Sequence, residues 1–329
     1  MNSKILIIGG AGYIGSHTVR YLQEKGLKCI IFDNFSNGHK EFVNCEYLEG
    51  DILNIQHIRY AFSKYSISAV IHFAAFIEAG ESVGEPEKYF VNNVSGTLNV
   101  LQVMREFGVT SLVFSSTAAV YGECEDEVLT EQSSLGPINA YGKSKLMVEN
   151  ILEEYCRAYK FNCTILRYFN ASGAGYDVGE LHSPETHLIP LVLFTALGIR
   201  EKIYIFGNSY NTNDGTCIRD YVHVLDLAQA HYLALQAIRD KTHQRLHIYN
   251  VGSGRGYSVK EIIDKCREIT QVNFNIEVAQ KRKGDPAKLV ASSQKISQEL
   301  GFEITYSIDD IIQSAWRWHK LNHLKNKEQ

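Results

Sequence analysis

The run Lys4-Ile5-Leu6-Ile7-Ile8 passes directly into Gly9-Gly10-Ala11-Gly12-Tyr13-Ile14-Gly15. No other stretch constrains the fold as much. A short apolar run closed by glycine reads as a buried parallel strand, and Ile14, Val19 and Leu22 mark a helix after it. Glycines at 9, 12 and 15 let the backbone turn tightly and approach a pyrophosphate at the positive helix N-terminus. A strand-turn-helix without a ligand is the plainer alternative, and Asp33 weighs against it. Asp33 follows a second strand, Lys28–Phe32, and lies 18 residues after Gly15. A carboxylate there can hold a ribose 2′-hydroxyl and would repel a 2′-phosphate, which favours NAD(H) over NADP(H).

The alternation continues. Further strands are expected near Glu46–Glu49, at Ala69–Phe73, at Ser111–Ser115 and at Cys163–Tyr168, with helices between them. Six strands alternating with helices predict an α/β fold, a doubly wound parallel (Rossmann) sheet. Asn34 and Asn37 are loop residues within reach of an adenosine. Asp51 either accepts a hydrogen bond from the adenine amino group or caps the next helix. Ala74 and Ala75 are small enough for backbone to lie against a cofactor. A helix from Pro86 to about Phe107 places Val91, Val94, Leu98 and Leu101 on one face. Asn92 and Asn93, early in that helix, are either cap-region residues or cofactor ligands.

The fifth strand runs out into Ser116-Thr117-Ala118-Ala119. A hydroxyl at the carboxyl end of a central strand lies at the crevice where such sheets bind ligands. The next helix, after Pro137 and reaching about Tyr159, bears Tyr141 and Lys145 one turn apart on one face. A phenol titrates near pH ~10, and a nearby ammonium can bring it into the range of a general base. Any helix can contain Tyr-x-x-x-Lys by chance; the dinucleotide signature upstream makes this pair a catalytic candidate, with Thr117 as its partner.

Composition narrows the class. Of 329 residues, 45% are hydrophobic and 21% charged, an ordinary globular balance. The net charge is -4 and no long basic run occurs, which argues against nucleic acid or an anionic membrane as the main partner. The first apolar run is too short for a signal peptide or a membrane span, so a cytoplasmic enzyme is expected. Seven cysteines without a C-x-x-C fit free thiols in a reducing compartment. His319 and His323 have a metal-like spacing but no third ligand close in sequence, and no metal is expected.

Composition changes after Gly173, where a loop-like stretch reaches to 186. This divides the chain into an NAD-binding domain, 1–175, and a smaller α+β substrate domain, 176–329, with segments near 221–251 expected to pack back on the first. Within the second half, short elements are expected at Leu188–Leu197, Ile203–Phe206, Leu225–Ile238, His247–Val251 and Asn273–Val278. Ser258 and Glu261 form a capping box. Ser307 opens a last helix whose Trp316 reads as core.

The residues together resemble the extended short-chain dehydrogenase/reductases, and within them the UDP-glucose (UDP-galactose) 4-epimerases. The likeness runs nearly end to end: 9–17, Gly80-Glu81-Ser82-Val83, Phe114 to Gly122, Arg167-Tyr168-Phe169-Asn170, His187-Leu188-Ile189-Pro190, Asp214 to Tyr221, and Arg282 to Pro286. The stretch Asp214–Tyr221 is the most specific of these. The resemblance implies a tightly bound NAD that is not consumed, lined by Gly9, Gly12, Tyr13, Ile14, Gly15, Asp33, Asn34, Asn37, Asp51, Ile52, Phe73, Ala74, Ala75, Asn92, Ser115, Thr117, Tyr141, Lys145 and Phe169. It implies a UDP-hexose lined by Thr117, Tyr141, Asn170, His187, Leu188, Tyr204, Ile205, Phe206, Arg219, Arg282, Asp285 and Leu289. Arg219 and Arg282 are the guanidiniums a diphosphate needs. Ile77 departs from the pattern, standing where many relatives have a lysine aimed at the cofactor.

The implied reaction is reversible oxidation at C4, with Tyr141 as base, Lys145 and the positive nicotinamide holding its pKa down, and Thr117 steadying the oxygen. Leu289, where a bulky tyrosine marks relatives restricted to the plain sugars, implies room for N-acetylated UDP-hexoses as well. The family's homodimers use two helices per subunit, and 87–107 and 140–159 are apolar enough to serve. A 4,6-dehydratase would place Asp-Glu where Ala118 and Ala119 stand. A non-catalytic NAD(H)-sensing regulator would not need Tyr141, Lys145 and two downstream arginines together.

Overall fold

The computed structural model describes residues 3–124, 126–239, 245–282 and 286–328. The first half runs β1 (Lys4–Ile8), α1 (Tyr13–Glu24), β2 (Cys29–Asp33), β3 (Tyr47–Glu49), α2 (Ile55–Lys64), β4 (Ile67–His72), α3 (Glu81–Gly84), α4 (Pro86–Tyr89), α5 (Gly96–Glu106), β5 (Ser111–Thr117), α6 (Ala140–Tyr159) and β6 (Asn162–Tyr168). The second half runs β7 (Asn170–Ser172), α7 (Leu188–Ala196), β8 (Lys202–Phe206), β9 (Ile218–His223), α8 (Val224–Arg239), β10 (Leu246–Val251), β11 (Gly256–Ser258), α9 (Val259–Thr270), β12 (Asn275–Ala279), β13 (Lys288–Leu289), α10 (Gln294–Leu300) and α11 (Ile308–Glu328).

Seven strands form the central sheet in the order β10-β6-β5-β4-β1-β2-β3, parallel throughout. Strand β1 shows why its sequence is apolar without alternation. Ile5 and Ile7 enter the core on one face, under α1 and α8, while Leu6 and Ile8 enter the core on the other, under α2, α5 and α6. The sequence predicts six strands; the seventh, β10, comes from the second half and pairs from Leu246 on Cys163 to Val251 on Tyr168. Helix α8 is the crossover that returns it. The order reverses between β1 and β4, and the crevice beyond their carboxyl ends is where such sheets take ligands.

The remaining elements build a second body. Strand β9 pairs with β11, β13 and β7, and β8 pairs with β12. Helices α7, α9 and α11 enclose a separate core that includes Ile189, Val192, Ile263, Ile311 and Ile312, with Trp316 partly buried against it. The Ser258–Glu261 capping box opens α9 as its sequence predicts. No helix among the described residues is long and apolar enough to cross a membrane.

One element differs from the sequence reading. The single helix expected from Pro86 to Phe107 is interrupted by a π-helical turn, Phe90–Ser95. Asn93 sits inside it, buried, with its side chain accepting from Phe76 N (2.9 Å) and donating to Phe76 O (3.1 Å) and Ser144 Oγ (3.0 Å). A widened turn is a common way to aim one side chain inward at a functional site.

Candidate active site

At the sheet's carboxyl edge the loop after β4 crosses the glycine turn, with Phe73 N and Ala74 N both donating to Ile8 O. Gly9 has φ +78°, and a Cβ there would lie 2.6 Å from Ala74 N. Helix α1 starts at Gly12 without a side-chain cap, so its first N–H groups are open to an anion. Asp33 Oδ2 accepts from Ala11 N and Oδ1 from Phe35 N, each at 2.9 Å. Burial pushes the Asp33 carboxyl up, and these backbone donors and His39 pull it back. This fixed acidic edge beside an open helix start fits a dinucleotide's ribose and pyrophosphate.

The other predicted cofactor residues fall around this turn. Asn34 Nδ2 donates to Asp51 Oδ2 (3.3 Å). Asp51 Oδ1 accepts from Leu53 N (2.7 Å), and Asn54, not Asp51, caps α2. The capping alternative for Asp51 is thereby removed. Asn37 lies in the loop facing Leu181 and His182. Ile52 is buried where Gly96 lets α5 approach it. Ile14 is partly buried against the core under α1. Tyr13 donates to Gly173 O (2.6 Å), fastening α1 to the segment after β7. Asn92 donates to Asn93 Oδ1 (2.9 Å), so Asn93 is the structural pin of the pair and Asn92 its neighbour. Ile77 is exposed.

Thr117 ends β5, and its hydroxyl accepts from Ala119 N at 3.1 Å. Helix α6 is capped by Asn139, whose side chain accepts from Gly142 N, and this places Tyr141 in the first turn. Lys145, one turn on, is buried, and its Nζ donates to Ser115 O at 2.8 Å. The Ser115 side chain hydrogen-bonds to Tyr168. Burial pushes the Tyr141 phenol up to about 12 and the Thr117 hydroxyl pulls it back. Burial pushes the Lys145 ammonium down to about 7, with Glu149 opposing. Burial therefore dominates at Tyr141, and added positive charge beside the phenol is needed to make it a base near neutrality.

The proposed sugar-nucleotide residues of the second half come from β7, α7, β8, β9, β13 and the loop residue Arg282. His187 is the N-cap residue of α7 and Leu188 its first residue. Tyr204 and Phe206 stand on one face of β8, ring centroids 6.3 Å apart. Ile205, between them, sends its side chain to the opposite face, where it is buried in the second core. The Arg282 guanidinium lies 3.9 Å over the Phe206 ring. Arg219 on β9 pairs in register with Leu289 on β13. Leu289 packs against the cluster containing Ala118 and Phe169, directly beside Thr117. Asn170 donates to Asp220 O at 2.8 Å. Asp285 lies outside the described residues.

Two buried carboxylates were not singled out from sequence. Glu149, one turn beyond Lys145 on α6, accepts from Arg167 Nη2 (2.6 Å) and Nε (3.1 Å), and Ser116 Oγ also bonds to it. Arg167 Nη1 reaches Tyr121 OH at 3.1 Å. Asp220 accepts from Ser253 N, Gly254 N and Ala291 N, tying the end of β10 to the segment after β13. The periodic signal was available only for Glu149, four residues after Lys145 on the same helix face.

Residues 5–252 match the family described as "NAD dependent epimerase/dehydratase family". A UDP-glucose 4-epimerase of Halalkalibacterium halodurans is 47% identical over 320 residues, 96% of this chain and 95% of its own. The crystal structure of a UDP-glucose 4-epimerase from Brucella ovis in complex with NAD superposes with a TM-score of 0.92 at 41% identity, covering 96% of this chain and 98% of that one. The structure of the UDP-Glc/GlcNAc 4-epimerase of Campylobacter jejuni superposes with a TM-score of 0.84 at 40% identity, covering 97% and 99%. With its seven-stranded Rossmann sheet and its Thr117, Tyr141 and Lys145 gathered at one crevice, this chain belongs to the NAD dependent epimerase/dehydratase family, among its UDP-glucose 4-epimerases.

Proposed function

We propose that this chain inverts C4 of a UDP-hexose with NAD as a resident cofactor, and that Tyr141 is the general base. The observation that carries the assignment is the meeting of Thr117, Tyr141 and a buried Lys145 at the carboxyl end of β5, next to Leu289 and Phe169. NAD, held by the glycine turn and Asp33, supplies the acceptor and later the donor of the C4 hydride. Tyr141 takes the proton of the 4-hydroxyl and returns it. Thr117 steadies the 4-oxygen. Lys145, fixed on Ser115 O, places positive charge behind the phenol. The Arg282 guanidinium, stacked on Phe206, and Arg219 hold the diphosphate. The 4-keto sugar, tethered by that diphosphate, turns over before the proton and hydride return to it.

Supporting the wider range, Leu289 occupies the wall beside the sugar, and a relative 40% identical is described as acting on both UDP-Glc and UDP-GlcNAc. Exposed Val91 in the π-helical turn, Leu98 on α5 and Met147 on α6, which packs on that turn, support a homodimer through these helices. Free cysteines, most of them buried, support a cytoplasmic location. The deciding experiment offers UDP-galactose and UDP-N-acetylgalactosamine side by side in a coupled assay, without added NAD. Turnover of UDP-galactose is expected with no net NADH formed; stoichiometric accumulation of NADH would make the chain a dehydrogenase instead.

A further inference from the structure

Between β7 and α7, four side chains converge that the reaction does not use together. His187 Nδ1 lies 2.8 Å from Glu180 Oε1 and 2.9 Å from Glu185 Oε1. His182 Nδ1 lies 3.1 Å from Glu180 Oε1 and 4.0 Å from Glu185 Oε2. One donor atom from each of the four falls within 4.8 Å of all the others. We propose that Glu180, His182, Glu185 and His187 form a divalent-cation site of the zinc class, a structural site fastening the segment that leads into α7.

Two observations converge on it. The first is geometric. A tetrahedral zinc ion with bonds of about 2.1 Å needs ligand atoms about 3.4 Å apart, and the separations here straddle that value. The second is an unanswered acceptor. The Glu185 side chain is 5% exposed, and while its Oε1 accepts from Thr186 N and His187 N, its buried Oε2 has no hydrogen-bond partner among the described residues. A buried carboxylate oxygen left unanswered is costly and calls for an ion or a proton.

The surroundings suit a fixed site. His39 contacts Leu181 O (2.8 Å) and Trp318 donates to Glu180 O (3.3 Å), so the loop is braced from both bodies of the fold. An opening of about 270 Å³ between 35–39 and Leu181–Ser183 brings solvent to His182. No metal signal is legible in the sequence because the four donors lie at spacings of two, three and two in a loop, a pattern without a helical or C-x-x-C signature.

The proposal does not depend on the epimerase assignment, and its test does not read activity. The whole chain, freed of metal by a chelator that is then removed, is titrated with Co²⁺ and with Zn²⁺. One equivalent of Co²⁺ giving the intense visible bands of tetrahedral coordination, displaced by Zn²⁺, is expected. Glu185→Gln, which keeps the side chain's shape, and His182→Ala should each weaken binding by more than the roughly 10–100-fold that loss of an outer partner costs. Absence of saturable binding to the wild type would overturn the site. So would binding that both variants leave unchanged while their circular dichroism matches wild type, since the ion would then sit elsewhere, for instance on thiols.

Discussion

The ammonium of Lys145 is anchored to the carbonyl oxygen of Ser115 at 2.8 Å, one turn of α6 beyond Tyr141 and one turn before Glu149. A backbone acceptor on β5 thus sets where the charge stands, and Glu149, itself held by Arg167, sets part of its cost. The sheet strand, the helix and the buried ion pair act as one frame for Thr117 and Tyr141.

Removing the phenol hydroxyl tests this frame most directly. Tyr141→Phe is expected to fold and to keep its NAD, while turnover of UDP-galactose falls by at least the ~10²–10⁴-fold that a positioned general base supplies. Initial rates and the released nucleotide of the denatured protein are the measurements; activity within tenfold of wild type would remove Tyr141 from the role.

Lys145 predicts a pH signature in the protein without NAD. Burial has brought its pKa down to about 7, below the ~10.4 of an exposed lysine. The unfolded chain therefore binds more protons between those values, and this group's contribution to stability rises with pH from about 7 to about 10. Below pH 7 the charged form is fully buried at its greatest cost. Lys145→Met should accordingly gain most over wild type near pH ~6, and the gap between the two melting midpoints should close toward pH ~9. A gap independent of pH would contradict the buried-charge account.

Much of this was legible beforehand, for identifiable reasons. The glycine turn, Asp33 and the Tyr141–Lys145 spacing are local signals, and each lies where its pattern implied. The segments near 221–251 are expected only to pack back on the first body; that β10 extends its sheet is not legible, because its partner, Cys163–Tyr168, is far away in sequence and a parallel pairing leaves no turn signature. The resemblance implies Ile205 together with Tyr204 and Phe206 and does not say which face its side chain takes; a strand sends alternate residues to opposite faces, and the Ile205 side chain enters the second core. The π-helical turn was invisible because Asn93 earns its position through Phe76 and Ser144, contacts made only after folding.

The Glu149–Arg167 pair makes a stability prediction. Both side chains are nearly inaccessible, at 4% and 3% exposure, so removing one partner strands a buried charge. Glu149→Ala should destabilise by about 3–5 kcal/mol, read from denaturant midpoints at constant slope. Glu149→Leu combined with Arg167→Met should recover much of that loss. A double variant no better than the single one would mean that the network's hydrogen bonds to Ser116 and Tyr121, rather than charge compensation, hold this region.

Asp33 predicts cofactor choice. Its two oxygens are already oriented by Ala11 N and Phe35 N, so the carboxylate cannot swing away from a 2′-phosphate. Protein stripped of NAD should regain activity with NAD and not with NADP, and Asp33→Ser should narrow that preference. Equal recovery of the wild type with NADP would show that the adenosine ribose lies elsewhere.

Leu289 predicts substrate range. It sits on the short strand β13, in register with Arg219, and packs against the Ala118–Phe169 cluster that adjoins Thr117 in sequence. A leucine side chain is shorter than a tyrosine and has no hydroxyl needing a partner, so the wall there is apolar and set back. Tyrosine at this position would press an acetamide against a bulky ring, at a cost of roughly 1–3 kcal/mol by analogy with an overpacked core. That is about tenfold to a hundredfold in kcat/KM for the N-acetylated pair, with the plain UDP-hexoses little affected. Wild type is expected to turn over both pairs, and Leu289→Tyr to lose the N-acetylated pair selectively. Failure of the wild type on UDP-N-acetylgalactosamine would sink the reading. Equal loss of both activities in Leu289→Tyr would do so too, because it would place the residue in the general support of the sugar rather than opposite its 2-substituent.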